Sequence, residues 1–357
     1  MGLVGGRGEC SNRFIVQAYL LASNGVVFVV WAAETIRQTD GCRRFFALAG
    51  YSALGACAVT LLAILYFIRH GAVGAMWESA IVYNGAYASL LGWSPAAFLS
   101  QVRAFATWWW PLFLTALWFG GIRPRHGWYW WLLLLTSGLV AYKDPNGHYY
   151  VMLVPFLASI AARGLEGLGD LLHRWRPISW HPVLTGTWVL LLLLPVVPLM
   201  RLSPEDLARR MYGDNPFTES QVAAHALAEV TEPGDMVFVA GSEPQILFYA
   251  KRKSMTRFVT VYPLMLDTRY AHSYQSEVMQ SLQANPPKAI VLSTHYCSWL
   301  MCPNTGPRFT SFLKSFLDQY QVVGHYVWTS PTQGSWQSPY TPPGRGFETL
   351  VLFRRRD

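Results

Sequence analysis

Residues 143–150 read Lys-Asp-Pro-Asn-Gly-His-Tyr-Tyr and run straight into the apolar stretch Val151-Met152-Leu153-Val154. Pro145-Asn146-Gly147 is a tight-turn sequence. Lys143 and His148 are suited to an anion such as a phosphate, and the hydroxyls of Tyr149 and Tyr150 to phosphate or sugar oxygens. The same residue types also make an aromatic belt at a membrane interface. The cluster therefore reads either as the rim of a site for a polar head group or as an interfacial collar.

A second cluster is Trp77-Glu78-Ser79-Ala80-Ile81-Val82-Tyr83-Asn84-Gly85-Ala86-Tyr87. Helical spacing puts Tyr83 and Tyr87 on one face with Glu78 about one turn earlier. Glu78 and Asn84 suit sugar hydroxyls, and the alternative is an amphipathic helix lying in an interface. Trp108-Trp109-Trp110 reads as an interface anchor. The chain has no Gly-rich phosphate loop followed by Lys-Ser/Thr, no HExxH, no G-x-S-x-G and no Cys/His spacing suited to zinc, so neither a metal nor a cofactor is expected. Cys297 and Cys302 lie close together in a polar region, where a disulfide and two thiols are both open readings.

The elements that must carry these clusters follow from composition. Of 357 residues, 52% are hydrophobic and only 13% charged, against about 25% charged in an average soluble chain. The net charge is +8, but much of the arginine sits in short connections instead of a basic face, which argues against nucleic acid as a partner. Six apolar runs, at 13–36, 45–68, 105–121, 127–142, 148–163 and 182–200, approach the ~20 residues of a bilayer span. Arg37, Arg43, Arg44, Arg123, Arg125, Arg163, Arg174 and Arg176 fall on connections of one face, which the positive-inside rule makes cytoplasmic. The expected fold is thus a polytopic α-helical membrane protein of about six spans, 1–202, followed by a small α/β extracytoplasmic domain, 203–357. The expected location is a membrane, with lipid bilayer as surroundings.

In the C-terminal region, helices are expected at 218–230, 272–284 and 308–320. Strands are expected at 236–240, 257–262 and 288–293, with two more in QVVGHYVW and ETLVLF, split by a Gly/Pro-rich loop at 330–346. GSEPQILFYAKR reads as a turn and short helix. Strands alternating with helices favour a doubly wound layer structure.

The pattern Lys143-x-x-x-x-His148-Tyr149-Tyr150, followed by Pro155 and Ala161-Ala162-Arg163-Gly164, resembles a segment of the bacterial GT-C glycosyltransferases, the dolichyl-phosphate-mannose protein mannosyltransferase-like and aminoarabinose-transferase-like proteins. WESAIVYNGAYA at 77–88, YGDNPFTES at 212–220 and PGDMVFVAGSEPQILFYAKRKSMTRFVTVYPL at 233–264 are similar to the same family. The resemblance implies a transferase of the bacterial inner membrane that moves a sugar from a polyprenyl-phosphate donor to a lipid, protein or glycan acceptor. It places His148 and Tyr149 beside the lipid phosphate, with Arg13 as a further match. The family's catalytic acid sits in an early outer loop that this chain does not show, so the chain looks like the C-terminal portion of such an enzyme and its general base is not identified. The rival expectation is a non-catalytic, membrane-anchored binding or scaffold module of cell-envelope synthesis.

Overall fold

The computed structural model describes residues 41–88, 90, 94–119, 134, 150–151, 153–213, 215–300, 303–330, 333–344 and 346–356. The chain divides into two compact units, Met1–Met200 and Arg201–Asp357.

In the first unit, α1 (Gly41–Arg69) and α2 (Val73–Trp77) lead into a π-helical stretch, Glu78–Tyr83, and α3 (Asn84–Ala88). The run of α1 is punctuated by Gly50, Ser52, Gly55 and Thr60, and its Leu54, Leu62 and Tyr66 are exposed. Further on, α4 (Pro95–Trp108) and α5 (Trp110–Phe119) are separate helices. They part at Trp109, because Pro111 lacks an amide hydrogen and is tolerated only in the first turn of a new helix. α6 (Val154–Trp175) is amphipathic: it buries Leu157, Ile160, Ala161 and Gly164 and leaves Arg163, Glu166 and Arg174 exposed. Its apolar face packs with Leu112, Ala116 and Phe105. α7 (His181–Leu193) stops shortly before Pro195 and Pro198, which cannot continue a helix.

The run at 45–68 lies within one continuous helix, α1, but the boundaries elsewhere correct the membrane expectation. The runs at 105–121 and 182–200 are cut short at prolines. The run at 148–163 opens a helix that continues through charged residues to Trp175. The run at 13–36 lies outside the described residues, as does 127–142 apart from Leu134. Among the described residues, no helix is long and apolar enough to cross a membrane. The six-span polytopic fold, the transmembrane helices and the assignment to a bacterial inner membrane with an extracytoplasmic C-terminal domain are therefore not upheld. The arginine asymmetry loses its force as well, since it orients a chain only across spans.

The second unit opens with α8 (Pro204–Tyr212), capped by Ser203, whose hydroxyl accepts from Asp206 N at 3.1 Å. The elements α9 (Phe217–Glu229), β1 (Met236–Ala240), α10 (Gln245–Ala250), β2 (Lys253–Ser254), α11 (Tyr262–Met265), α12 (Ala271–Ala284) and β3 (Ala289–Ser293) follow. The chain ends with α13 (Gly306–Leu317), β4 (Tyr320–Ser330), β5 (Gln333–Gln337) and β6 (Phe347–Arg355). The sheet order is β2-β1-β3-β6-β4-β5. β1 is parallel to β2 and β3, and the pairs β3–β6, β6–β4 and β4–β5 are antiparallel.

Successive strand residues point to opposite faces, and both faces of this sheet are covered. Val237, Val239, Ala289, Val291, Leu350 and Leu352 form one core with Ala223, Ala224 and Leu227 of α9 and Ile246, Leu247 and Ala250 of α10. Phe238 and Ile290, directed the other way, are equally buried, as are Val278 and Leu282 of α12 and Phe309 and Phe316 of α13. The expected strand at 257–262 does not form. β2 is only Lys253–Ser254, and the chain then bends so that Val261 N donates to Gly241 O at 3.1 Å before Pro263 enters α11. β5 arises inside the stretch read as a loop.

Candidate ligand site at the ends of beta1 and beta3

From β1 the chain passes through α10 to β2 on one side, and from β2 through α11 and α12 to β3 on the other. In open α/β sheets, the carboxyl ends of neighbouring parallel strands whose connections diverge in this way are the usual place for a ligand crevice. The residues delivered there are Gly241-Ser242-Glu243 after β1, and Ser293 with Thr294-His295-Tyr296-Cys297-Ser298 at and after β3.

Glu243 is 3% exposed. Ser298 Oγ donates to its Oε1, and the hydroxyls of Ser298 and Ser293 are 2.8 Å apart. Trp299 Nε1 donates to Ser293 O at 2.6 Å, and Tyr262 OH donates to Cys297 O at 2.9 Å, so the turn after β3 is held from two sides. Gly241 is required by space: an added Cβ would collide with Glu243 Oε2 and lie 2.7 Å from Ser293 Cβ. Burial pushes the Glu243 carboxyl above the usual carboxylate range, against the lowering effect of Ser298, the Ser242 and Glu243 backbone and Ser293. No cation is among the groups that act on it. Among the described residues, its Oε2 and the Ser242 hydroxyl are buried without a hydrogen-bond partner. His295 is 4% exposed, with its ring 4.7 Å from that of the exposed Tyr296.

A neutral carboxylic acid can donate one hydrogen bond and accept others, as can each serine hydroxyl. The arrangement is thus a buried carboxyl beside hydroxyls that both donate and accept, with two polar atoms that have no hydrogen-bond partner among the described residues. Among the described residues, no group of three or more His, Cys, Asp or Glu is placed to hold a metal ion.

The residues singled out from sequence are placed elsewhere. Lys143, His148 and Tyr149 lie outside the described residues, as do Arg13 and Cys302. Tyr150 is 1% exposed and packs among Phe98 and Phe105, with ring centroids 6.4 and 5.7 Å away. Glu78 and Tyr83 are half-buried on the π-helical stretch. Asn84 spends its side-chain amide on Ser79 O and Ala80 O of the preceding π-helical stretch, at 2.9 and 3.1 Å. Glu78, Tyr83, Asn84 and Tyr150 belong to the first unit and the β1–β3 crevice to the second. The crevice residues escaped notice because no single motif joins them. The available signal was a Gly-Ser-Glu-Pro turn directly after one buried strand and Ser-Thr-His directly after another.

Compared with protein-family profiles, with curated proteins and with solved structures, the chain matches none.

Proposed function

We propose that the Arg201–Asp357 unit is a binding module for a small, uncharged, hydroxyl-bearing ligand, of which a sugar unit is the class that fits best. The observation that carries this reading is the buried Glu243 carboxyl, held by Ser298 beside Ser293, with Oε2 and the Ser242 hydroxyl left without partners. A ligand hydroxyl both donates and accepts, and so complements a buried carboxyl flanked by serine hydroxyls. An anion would need a cation to meet it, and none acts on Glu243. A cation is disfavoured, because burial opposes the charged form of the carboxyl that would meet it.

The test is calorimetric titration of the full chain with methyl glycosides of glucose, mannose, galactose and N-acetylglucosamine, alongside glucosamine and glucuronate as charged counterparts. Saturable binding of at least one neutral glycoside, weakened about tenfold or more by Ser298→Ala, supports the reading. Binding of the charged sugars alone would sink it.

A second reading is transfer of a sugar from a polyprenyl-phosphate donor to a lipid, protein or glycan acceptor. It is favoured by the resemblance of the segments at 77–88, 143–164, 212–220 and 233–264 to the GT-C transferases, with His148 and Tyr149 beside the phosphate. Incubation with a polyprenyl-phosphate sugar tests it: release of polyprenyl phosphate that His148→Ala abolishes supports transfer, and release unaffected by that change removes His148 from the reaction.

A further inference from the structure

A buried histidine on β4 is held by a carboxylate that regular strand geometry would turn the other way. His325 is fully buried, and its Nδ1 lies 2.5 Å from Glu348 Oε1. On β6, Leu350 and Leu352 face α9 and α10, and strict alternation would send Glu348 to that face as well. The pairing breaks here: Tyr326 pairs with Leu350, but the next residue, Val327, pairs with Glu348, so Thr349 is an extra residue on β6. Such a bulge re-aims the side chains beyond it. It brings Glu348 to the face shared by Val327 and His325.

In the neutral imidazole a carboxylate on Nδ1 fixes the proton there, because that nitrogen must donate, and Nε2 is then a lone-pair acceptor. Among the described residues, His325 Nε2 is buried with no hydrogen-bond partner, and so is the hydroxyl of Thr349, the residue after Glu348 in the chain. Tyr340, 38% exposed, lies against the imidazole with ring centroids 4.5 Å apart. It sits on the β5–β6 connection, which Ser338 Oγ ties to Val323 O at 3.2 Å.

We propose that His325, oriented by Glu348 and covered by Tyr340, is a second ligand site, which takes a hydroxyl group as hydrogen-bond donor to Nε2. An oriented imidazole whose free nitrogen faces no protein donor is built to accept from something else, and the bulge at Thr349 is the local distortion that assembles it. The bulge is tied to the turn after β3, since Thr294 N donates to Thr349 O at 2.9 Å and Thr294 Oγ1 donates to Glu348 O.

The test is carbethoxylation of the full chain with diethyl pyrocarbonate, read by peptide mass spectrometry. In the unaltered protein His325 reacts far more slowly than the exposed His225 and His272. Tyr340→Ala raises the rate at His325 at least tenfold, leaves His225 and His272 unchanged and preserves the circular dichroism spectrum, whereas Tyr340→Phe keeps the original rate. Glycerol and methyl α-glucoside, as hydroxyl probes, slow the reaction at His325 in the Tyr340→Ala protein. A folded Tyr340→Ala protein whose His325 stays unmodified while His225 and His272 react to completion would overturn the proposal. So would a rate that neither probe lowers.

Discussion

Glu243 lies so closely over Gly241 that the glycine cannot carry a side chain, since its β-carbon would meet the Glu243 carboxylate and stand 2.7 Å from Ser293 Cβ. The turn after β1 and the end of β3 are thereby locked against each other. Gly241→Ala is expected to cost about 1–3 kcal/mol, the usual range for forcing atoms into a packed site. In a Glu243→Ala background the same change should cost less, because one of the two obstructions is gone. Urea unfolding of the four proteins in this cycle checks it, and equal costs in both backgrounds would show that the two residues are not coupled.

Protonation of Glu243 gives the domain a pH signature. Its carboxyl is raised in the folded state by burial, so between the unfolded and folded values the native chain holds a proton that the unfolded chain has released. Stability then falls as pH rises from the ordinary carboxyl range through the folded value, and is level above it. Glu243→Gln removes this slope, since an amide does not titrate. Chemical unfolding from pH 4 upward should therefore show the variant gaining on the wild type as pH increases, and parallel curves would contradict the assignment.

Arg209 and Glu219 join α8 to α9 through an ion pair of 2.7 Å, with the Glu219 side chain fully buried and the Arg209 guanidinium 5.4 Å from the Trp328 ring centroid. Removing one member of a buried pair strands the other charge and typically costs about 3–5 kcal/mol. Arg209→Ala is expected near the lower end of that range, because its side chain is 22% exposed. Arg209→Ala combined with Glu219→Gln should recover part of the loss. Thermal unfolding distinguishes this from a surface pair, for which both changes would be nearly silent.

Arg252 is a staple between two helix ends. Its Nε donates to Thr231 Oγ1 at 2.9 Å, one terminal nitrogen to Ala228 O and Thr231 O at 3.2 and 2.6 Å, and the other to Ala250 O at 2.9 Å. A planar fork is needed to reach all of these at once. Arg252→Lys should therefore lose about 1–3 kcal/mol through unsatisfied carbonyls, although the charge is kept. Amide hydrogen exchange at the end of α9 should quicken in that variant, and unchanged exchange would argue that the carbonyls find other partners.

Much of the α/β unit was legible in the chain because its signals are local. MVFVA and KAIVLS are short apolar runs bounded by turn residues, and they became β1 and β3 to within a residue. The helices at 217–229, 271–284 and 306–317 lie within three residues of their expected bounds. RFVTVY misled because its β-branched residues promise a strand, whereas Val261 is drawn to Gly241 O and Pro263 withholds a ladder amide. The apolar runs of the first unit misled for a related reason. Total hydrophobicity takes no account of the prolines at 111, 195 and 198 or of the charged face of α6, which set where α4 and α7 stop and which side α6 buries. The crevice was illegible because its partners are 55 residues apart in Glu243 and Ser298, and only the order of the strands brings them together. His325 and Glu348 were hidden more deeply, since strict alternation assigns them to opposite faces and only the bulge at Thr349 joins them.

The central claim is that Glu243 and Ser298 form a site for an uncharged hydroxyl-bearing ligand. Saturation-transfer NMR with neutral methyl glycosides at pH 7, on the wild type, Glu243→Gln and Glu243→Ala, tests it most directly. The account predicts a transfer signal in the wild type, its retention in Glu243→Gln, which can still donate and accept, and its loss in folded Glu243→Ala. Equal signals in all three proteins, or none in the wild type, would contradict it.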